Sequence, residues 1–380
     1  MNWFTKLFNP FYRALFVYGE GNKIYPKQNF ETIAKEGYSY NAEAYSTIKK
    51  VYESVASIPF KLIEHLPDGT TRTVDSHHII DLLKYPNDYQ TETEFREAFV
   101  AFYCTAGNSY VQPLRATERG KIRELHVWRP DKITVLQGNM TRPILGYEYE
   151  ENGIMIKVPY DGLIHWKTWN PLEWWYGLSP VTAASYPIDL HSEYSKHNFN
   201  TVKRGARSPI YMEYTGKLLK KEQVEEIRDS FDSKYGGAEN AGKTPVAHGG
   251  LELKHLPAMK PVEMDWIEGL LQQKRQINTV WGVPSELLND ADAKKYGNLV
   301  ESRRAFYMET CIPLAKKMYA TLTRGMVHPN YGKRYEIIPD IDKIDGIQGD
   351  RAIVVAKVVE GFMSGIINRE EARRELGLDP

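Results

Sequence analysis

The stretch from Gly237 to Thr244 reads G-A-E-N-A-G-K-T, which is the letter pattern of a phosphate-binding loop. In such a loop, backbone N–H groups cradle nucleotide phosphates and a lysine, here Lys243, reaches the terminal phosphates. That chemistry requires a buried strand before the glycines and a helix after the Lys-Thr pair. Here a charged helical pattern precedes Gly237, and Pro245 is followed by residues that indicate a strand. The pattern favours a surface loop, and a nucleotide-hydrolysing or nucleic-acid-processing enzyme built on 237–244 is the alternative.

A second candidate for chemistry is the set Asp189, Glu193 and His197, which recur every four residues and would share one helix face. These side chains could bind a metal, but the same spacing is common on solvated helix faces and no second element contributes a ligand. His77 and His78 would point in different directions on any regular element, so a role at a helix start is favoured over ligation. We predict neither a metal nor a cofactor.

Nucleophilic catalysis is not indicated either. Cys104 and Cys311 are the only cysteines, and we predict two reduced thiols of an intracellular protein. Neither cysteine has a histidine pattern beside it, and no G-x-S-x-G sequence occurs. No catalytic residue is therefore predicted.

The composition bounds the class of protein. The chain has 380 residues, 42% of them hydrophobic, and so can bury a substantial core. Lysine plus arginine and aspartate plus glutamate both number 49, which makes the formal net charge zero. This balance excludes a global basic footprint for nucleic acid, but not a channel that encloses a polyanion. No signal peptide and no apolar run of membrane-spanning length is found, which predicts a soluble, cytoplasmic protein.

The elements that must position these residues begin with an α+β region. Residues 41–58 have helical spacing of apolar residues, and Thr91 with Glu94 forms a capping box for a second helix that Gly107 ends. Residues 108–168 alternate short strands with turns, which predicts an antiparallel sheet. The sequence HWKTWNPLEWWYG at 165–177 favours a packing core or a subunit interface over a ligand platform.

The following residues predict two long helices that flank a small insert. The first is capped by Ser179, starts at Pro180 and should be kinked by Pro187. The insert contains a strand, a charged helix, a glycine-rich loop and two strands at 244–250 and 251–256. Beyond the second long helix come a polar loop, a helix that should bend at Pro313, a strand, and two short helices, of which Asn368 opens the second.

Several segments in this order resemble portal proteins of tailed bacteriophages, in the lineage with long non-contractile tails. The resemblance extends from about residue 41 to 380 and is carried by YPNDYQTETEFREAFVAFYCTAGNSYV, YGLSPVTAAS, GGAENAGKTPVAHGGLELKHL, INTVWGVPSELLND, YGNLVESRRAFYMETCIPL and GIINREEARRELGLDP. It implies an α+β portal fold with a wing of antiparallel sheet and helices, a two-helix stem, a small α+β clip, a kinked helix with a tunnel loop, and a short helical crown. The implied segments are 1–178 for the N-terminal arm and wing, 179–205 for one stem helix, 206–257 for the clip, 258–283 for the second stem helix, 284–298 for the tunnel loop, 299–339 for the rest of the wing, and 340–380 for the crown.

The resemblance also implies a non-enzymatic function. Family members form a ring, usually of twelve subunits, at one capsid vertex, where it is the channel for genome packaging and ejection. The implied partners are further copies of the chain, double-stranded DNA in the channel, the large terminase subunit, the major capsid protein and a head-completion or adaptor protein, with no membrane. The implied location is the virion, and the host cytoplasm during assembly.

Three sets of site residues follow from this assignment. Because DNA must slide through the ring in both directions, a loop of mixed charge suits the channel better than a strongly basic one. The predicted DNA-facing tunnel-loop residues are Asn289, Asp290, Lys294, Lys295, Tyr296 and Asn298. The predicted clip docking surface is Lys234, Glu239, Asn240 and Lys243, and the predicted subunit interface is Trp166, Trp169, Trp174, Trp175 and Trp266.

Overall fold

Helices and antiparallel sheets occur together in the computed structural model of the protein, which confirms the predicted α+β class. The chain divides into two compact units, one formed by residues 1–185 with 277–380 and the other by residues 186–276. The structure describes residues 23–24, 38–117, 120–151, 153–203, 210–216, 219–240, 243–246, 250–255, 266–290, 296–344 and 348–376.

The capping signals of the first unit are realised as hydrogen bonds. Glu94 N–H donates to Thr91 Oγ1 at 3.3 Å, and Thr91 N–H donates to Glu94 Oε2 at 2.8 Å, which confirms the capping box. His77 accepts the Ile79 N–H at 3.2 Å and so has the predicted role at a helix start. The helices before the sheet region are α1 (Ala42–Ala56), α2 (His78–Lys84) and α3 (Glu92–Ala106).

The end of α3 requires glycine. Gly107 has a φ of 69°, and a Cβ atom there would lie 2.3 Å from the Leu178 carbonyl oxygen. The next residue, Asn108, accepts the Gly177 N–H at 2.7 Å and donates to the Gly177 carbonyl at 3.2 Å. These contacts join the end of α3 to residues 177–178.

Among the described residues, three antiparallel sheets build the first unit, and the six strands between 108 and 168 confirm the antiparallel strands predicted there. One sheet has the order β5-β4-β9, a second has the order β1-β6-β7-β8, and a third has the order β12-β2-β3. The strands are β1 (Lys23–Ile24), β2 (Phe60–His65), β3 (Thr71–Val74), β4 (Asn108–Arg115), β5 (Ile122–Trp128), β6 (Ile133–Gln137), β7 (Ile144–Glu151), β8 (Ile154–Pro159), β9 (Ile164–Lys167) and β12 (Tyr335–Pro339).

A buried arginine links three parts of the first unit. Arg96 on α3 donates through Nη1 to the Ile58 carbonyl at 2.7 Å and to the Tyr319 hydroxyl at 3.0 Å. The Tyr319 hydroxyl donates to the same carbonyl at 3.0 Å. Glu92 neutralises the guanidinium at 2.8 Å, so the buried charge has both a counter-ion and hydrogen-bond partners.

The helical segment from 296 to 331 changes its hydrogen bonding along its length. We predicted a bend at Pro313, and a π-helical segment, Phe306–Cys311, ends two residues before this proline. A second π-helical segment covers Thr323–Val327. The α-helical parts are α8 (Tyr296–Ala305), α9 (Ile312–Leu322) and α10 (His328–Tyr331).

The first long helix is interrupted near its start, as Pro187 predicted. Ser179 accepts the Thr182 N–H and caps α4 (Pro180–Ala183), and α5 (Ser185–Lys203) begins after Ala184. A proline at 187 has no N–H for the carbonyl four residues earlier, so the two helical pieces do not share a continuous hydrogen-bond pattern.

The second unit contains most of the two long helices and the insert between them. A Cβ atom at Gly269 would lie 3.1 Å from the Tyr194 hydroxyl, so the two long helices are in close contact at this point. In the insert, Tyr214 pairs with Leu251 in a two-stranded antiparallel sheet. The elements after α5 are β10 (Ile210–Tyr214), α6 (Lys221–Tyr235), β11 (Leu251–His255) and α7 (Trp266–Val280).

The stability of the first unit is expected to fall in mild acid because of His165. Its Nε2 lies 3.0 Å from Asn108 Oδ1, and since an amide oxygen only accepts, this nitrogen carries the proton. The ring stacks on Tyr110 at 4.3 Å, and burial, with Lys167 nearby, holds the pKa of His165 well below its ordinary value. The stabilisation by the neutral ring is complete above the unfolded pKa of about 6.5 and is lost as pH falls below it toward the folded pKa.

Denaturant unfolding at pH 7.5 and pH 5.0 measures this effect. The wild type should lose unfolding free energy between the two pH values, and His165→Asn should lose less. His197→Gln, on the exposed surface of α5, is the control and should keep the wild-type difference. An equal loss in His165→Asn and the wild type would contradict the prediction.

Candidate functional site

The phosphate-loop pattern at 237–244 does not have the geometry that phosphate binding requires. Helix α6 rather than a strand precedes it, and residues 243–246 are neither helix nor strand. Lys243 Nζ donates to Asn240 Oδ1 at 2.7 Å, and Asn240 Nδ2 donates to the Gly236 carbonyl at 2.7 Å. The lysine therefore binds its own loop. The strand predicted at 244–250 is absent at 244–246, and residues 247–249 lie outside the described part of the chain.

The other candidates for chemistry are accounted for by ordinary structural contacts. Glu193 accepts from Lys196 at 2.8 Å on the exposed face of α5, and His197 contacts Thr201 at 3.4 Å. Across the described residues, no group of three histidine, cysteine or acidic side chains could hold a metal ion. Both cysteines are buried free thiols. Burial raises the pKa of Cys104 to about 12, which disfavours a nucleophilic thiolate.

The base of the 284–298 loop is fixed by a buried polar chain that sequence reasoning missed. The Thr47 hydroxyl on α1 donates to Asn278 Oδ1 at 2.6 Å. Asn278 Nδ2 in turn donates to Ser285 Oγ at 3.4 Å. Thr47 and Asn278 are fully buried, so this chain fixes the start of the loop to the core of the first unit. The available signal was a single asparagine within an apolar helical pattern, INTVWGVP.

The first residues of this loop adopt a defined turn. Residues Ser285–Leu288 form one 3₁₀ turn, and Asn289 follows in the left-handed conformation with a φ of 63°. The Asp290 N–H donates to the Ser285 carbonyl at 3.2 Å, and its side chain is buried. We therefore remove Asp290 from the predicted DNA-facing set, because a group buried inside the protomer cannot face a channel.

The remaining predicted loop residues lie at or beyond the limit of the description. Lys294 and Lys295 are outside the described residues. Tyr296 begins α8 and Asn298 lies in its first turn, so the helix starts earlier than the predicted loop end at 298. Their side chains are not among those described.

The five predicted interface tryptophans separate into different environments. Trp166 is buried and stacks on Tyr103 at 3.8 Å between ring centroids, so we remove it from the predicted interface. Trp169 and Trp174 are 82% and 78% exposed. Trp175 is half-buried and donates to the Pro143 carbonyl at 3.0 Å, while the side chain of Trp266 at the start of α7 is outside the described set.

The exposed tryptophans lie on an ordered loop. Thr168 N–H donates to the Gly107 carbonyl at 2.9 Å, and Leu172 N–H donates to Asn170 Oδ1 at 3.0 Å. The Lys167 amine donates to the Trp174 carbonyl. Two large apolar side chains exposed on a loop with a hydrogen-bonded backbone are typical of an interaction surface.

The predicted clip docking residues are accessible on the second unit. Lys234, Glu239 and Lys243 are exposed, and Asn240 is half-buried. None of the residues of α6 is buried in the protomer.

No helix among the described residues is long and apolar enough to cross a bilayer.

Comparison with known proteins identifies the family. A family model described as "Phage portal protein" matches residues 42–377. The chain belongs to the phage portal protein family. This portal protein is 22% identical to the portal protein of Enterobacteria phage HK97 over 381 residues, which covers 95% of this chain and 87% of the relative. It is a structural protein and not an enzyme, which confirms that prediction.

Solved structures support the portal fold. This portal protein is similar to a chain in the neck of a native gene transfer agent particle computed with C12 symmetry, with a TM-score of 0.73, 26% identity and 99% coverage of each chain. It is also similar to an HK97-family phage portal protein from Corynebacterium diphtheriae, with a TM-score of 0.57 and 13% identity over 86% of this chain and 99% of that one. The second likeness shows the fold alone.

Proposed function

We propose that this portal protein forms a ring of about twelve copies at one vertex of a capsid. The ring is the channel for genome packaging and ejection, and it is a component of the virion that assembles in the host cytoplasm. The observation that carries this proposal is the match over 99% of both chains to a neck structure with C12 symmetry. Membership of the portal family over residues 42–377 supports the same function.

Negative-stain imaging of the purified chain tests the proposal. We expect rings with a central hole and about twelve-fold symmetry. A chain that remains monomeric at all concentrations would contradict the proposal. ATP turnover that is lost in Lys243→Ala would instead favour an enzyme built on 237–244.

We propose that residues following Asp290 contact the DNA backbone in the channel. The buried chain from Thr47 through Asn278 to Ser285 supports this role, since it holds the loop base in place while DNA moves past. Lys294 and Lys295 are the cations of this segment. A small number of cations binds DNA weakly, and weak binding permits DNA to slide in both directions.

Replacing Lys294 and Lys295 by alanine is expected to leave ring assembly intact and to reduce DNA retention. Each phosphate contact contributes about 0.9 to the slope of log affinity against log salt, so retention should also become less sensitive to salt. DNA content of particles at several salt concentrations measures both effects. The control replaces Lys316 and Lys317, two consecutive exposed lysines elsewhere in the chain, by alanine. Unchanged DNA retention in the first variant would contradict the role.

We propose that the clip surface docks the large terminase subunit during packaging and the head-completion or adaptor protein afterwards. The exposed charges of Lys234, Glu239 and Lys243 support this, as does helix α6, none of whose residues is fully buried in its own protomer. The major capsid protein surrounds the ring at the vertex.

The exposed Trp169 and Trp174 form part of the contact between adjacent subunits, where they pack against a different face of the neighbouring subunit.

Lys234→Glu combined with Lys243→Glu is expected to weaken binding of the cognate packaging ATPase without changing ring formation. Reversal of two exposed charges places like charges opposite each other at the docking surface, which raises the cost of association. Binding of the ATPase to immobilised rings is the measurement. The same reversal at Lys316 and Lys317 should leave binding unchanged. Equal binding by all three proteins would show that Lys234 and Lys243 are not part of the docking surface.

A further inference from the structure

The C-terminal part of the chain is a helical hairpin with defined ends. Helix α11 (Gln348–Met363) is followed by α12 (Arg369–Glu375). Between them Gly365 has a φ of 73°, and the Gly365 N–H donates to the Phe362 carbonyl at 3.1 Å. The Ile366 N–H donates to the Gly361 carbonyl at 2.9 Å, which completes a Schellman motif. Asn368 and Glu371 cap α12 reciprocally at 2.8 and 2.9 Å, as the sequence predicted.

One side of α11 is covered within the hairpin. Val358 on α11 and Ala372 on α12 are buried. A Cβ atom at Gly361 would lie 3.3 Å from the side chain of Ile367, so the chain returns closely along this side. The hairpin therefore has an internal contact that uses only part of the apolar surface of α11.

A second side of α11 is apolar and exposed. Val355, Val359 and Phe362 are spaced by four and three positions, which places them on one helix face, Met363 is next to Phe362, and Ile366 follows in the turn after the helix. A helix with apolar residues over most of its circumference is normally buried, and a contiguous exposed apolar patch marks an interaction site. The exposed members are Val355, Val359, Phe362, Met363 and Ile366, which together we call the α11 face.

The charges around the α11 face are mixed in sign. Lys357 and Glu360 are exposed on the rest of the helix. Helix α12 contains three basic and three acidic residues, in the sequence REEARRE. A border of this kind has no basic field for nucleic acid. It suits a partner surface of mixed charge better than a strongly basic or acidic one.

We propose that the α11 face is an inter-subunit contact, covered by the adjacent copy of this chain in the ring. The inference rests on the proposed ring and adds a second contact surface, separate from the exposed tryptophans of 169–174. The similar neck chain is matched over 99% of both lengths, so the counterpart of this hairpin is present in a C12 assembly. Cyclic rings use heterologous contacts, so the α11 face of one copy meets a different surface of the next.

Methionine oxidation tests the contact in the unmodified protein. Met363 is 81% exposed in the protomer, and Met140, which is fully exposed between β6 and β7, is the internal reference. Rings and dilution-dissociated protomers are treated with hydrogen peroxide, and peptides are quantified by mass spectrometry. We expect Met363 to oxidise several-fold more slowly than Met140 in rings and at a similar rate in protomers. Equal rates in rings, or protection of Met363 that persists in protomers, would overturn the inference.

A pair of charge insertions gives an independent test. Val359→Asp with Phe362→Asp should raise the dissociation constant of ring assembly about 30-fold or more, the factor that corresponds to about 2 kcal/mol at one interface. The control is Ile154→Asp with Met155→Asp on edge strand β8, whose side chains are similarly exposed. Circular dichroism checks that the variant folds. If it does not fold, methionine oxidation of the wild-type protein is the test of the proposed contact.

The two proposals fail in different ways. A wild-type chain that never forms rings would overturn the proposed function and this inference with it. Rings of wild-type stability from the Val359 and Phe362 variant would overturn this inference alone. Protection of Met363 only inside complete particles would also overturn it, since a different partner would then cover the α11 face.

Discussion

Replacing Trp169 and Trp174 by serine should abolish ring assembly while the protomer remains folded. Both side chains are largely exposed and add little to the stability of the isolated protomer, so the free energy of unfolding should change by about 0.5 kcal/mol or less. Tryptophans at interface centres typically contribute about 2 kcal/mol or more each. Because the loss is repeated at every contact around a ring, we expect mainly monomers. Size-exclusion chromatography with light scattering measures the state, and negative-stain imaging checks it.

The matched control replaces two other exposed aromatic residues. Tyr85 and Tyr89 are about as exposed as the two tryptophans and lie in the segment before α3. Their double serine variant should form rings as the wild type does. If the tryptophan variant forms rings of normal stability, the 169–174 loop is not part of the subunit contact. If both variants lose rings, the effect is not specific to the tryptophans.

The second large effect is expected from Asn278→Ala, which removes the centre of the buried chain below the 284–298 loop. The substitution removes the Asn278 acceptor of the Thr47 hydroxyl, which keeps the Glu43 carbonyl at 2.7 Å, and it removes the donor to Ser285. Because Asn278 is fully buried, the free energy of unfolding should fall by about 1–3 kcal/mol. DNA retention in particles should fall as well, since the loop base is no longer held against α1.

The control for this variant is Gln276→Ala, an exposed position on the same helix. Denaturant unfolding compares the three proteins, and particle DNA content gives the functional comparison. A loss of stability with normal DNA retention would show that the hydrogen bonds from Thr47 through Asn278 to Ser285 have only a structural role. Unchanged stability in Asn278→Ala would contradict the contact itself.

The exposed tryptophans show where sequence reasoning reached its limit. Five tryptophans were predicted for one interface because this residue type is enriched both in cores and at interfaces. The structure buries Trp166 against Tyr103 and leaves Trp169 and Trp174 exposed. The two classes lie within nine residues of sequence, and residue type alone cannot separate them. Only the position of each side chain relative to β9 and the following loop does so.

For the phosphate-loop pattern at 237–244, the neighbouring sequence was sufficient to predict that the loop does not bind phosphate. A charged helical pattern before Gly237 already indicated that no buried strand leads into the glycines, and α6 occupies that position. The helix that phosphate binding needs after Thr244 is missing at 244–246. Residues 244–246 of the predicted strand are not in a strand, and Pro245 and Val246 suit extended backbone without a partner strand.

What the sequence alone determined is mostly short-range. The capping boxes at Thr91 and Asn368, the helix interruption before Pro187 and the strands of 108–168 depend on residues within a few positions of each other, so their patterns are readable. The order of the longer segments was enough for the portal fold, which the family match over 42–377 confirms. These features follow from backbone geometry and apolar periodicity.

Tertiary structure alone decided which distant groups meet. Thr47 lies 231 residues from Asn278 in sequence, and Arg96 lies 223 residues from Tyr319, yet each pair shares a buried hydrogen bond. The burial of Asp290 and the exposure of the α11 face were decided in the same way. Burial depends on what packs against a side chain from the rest of the chain, and no local pattern carries that information.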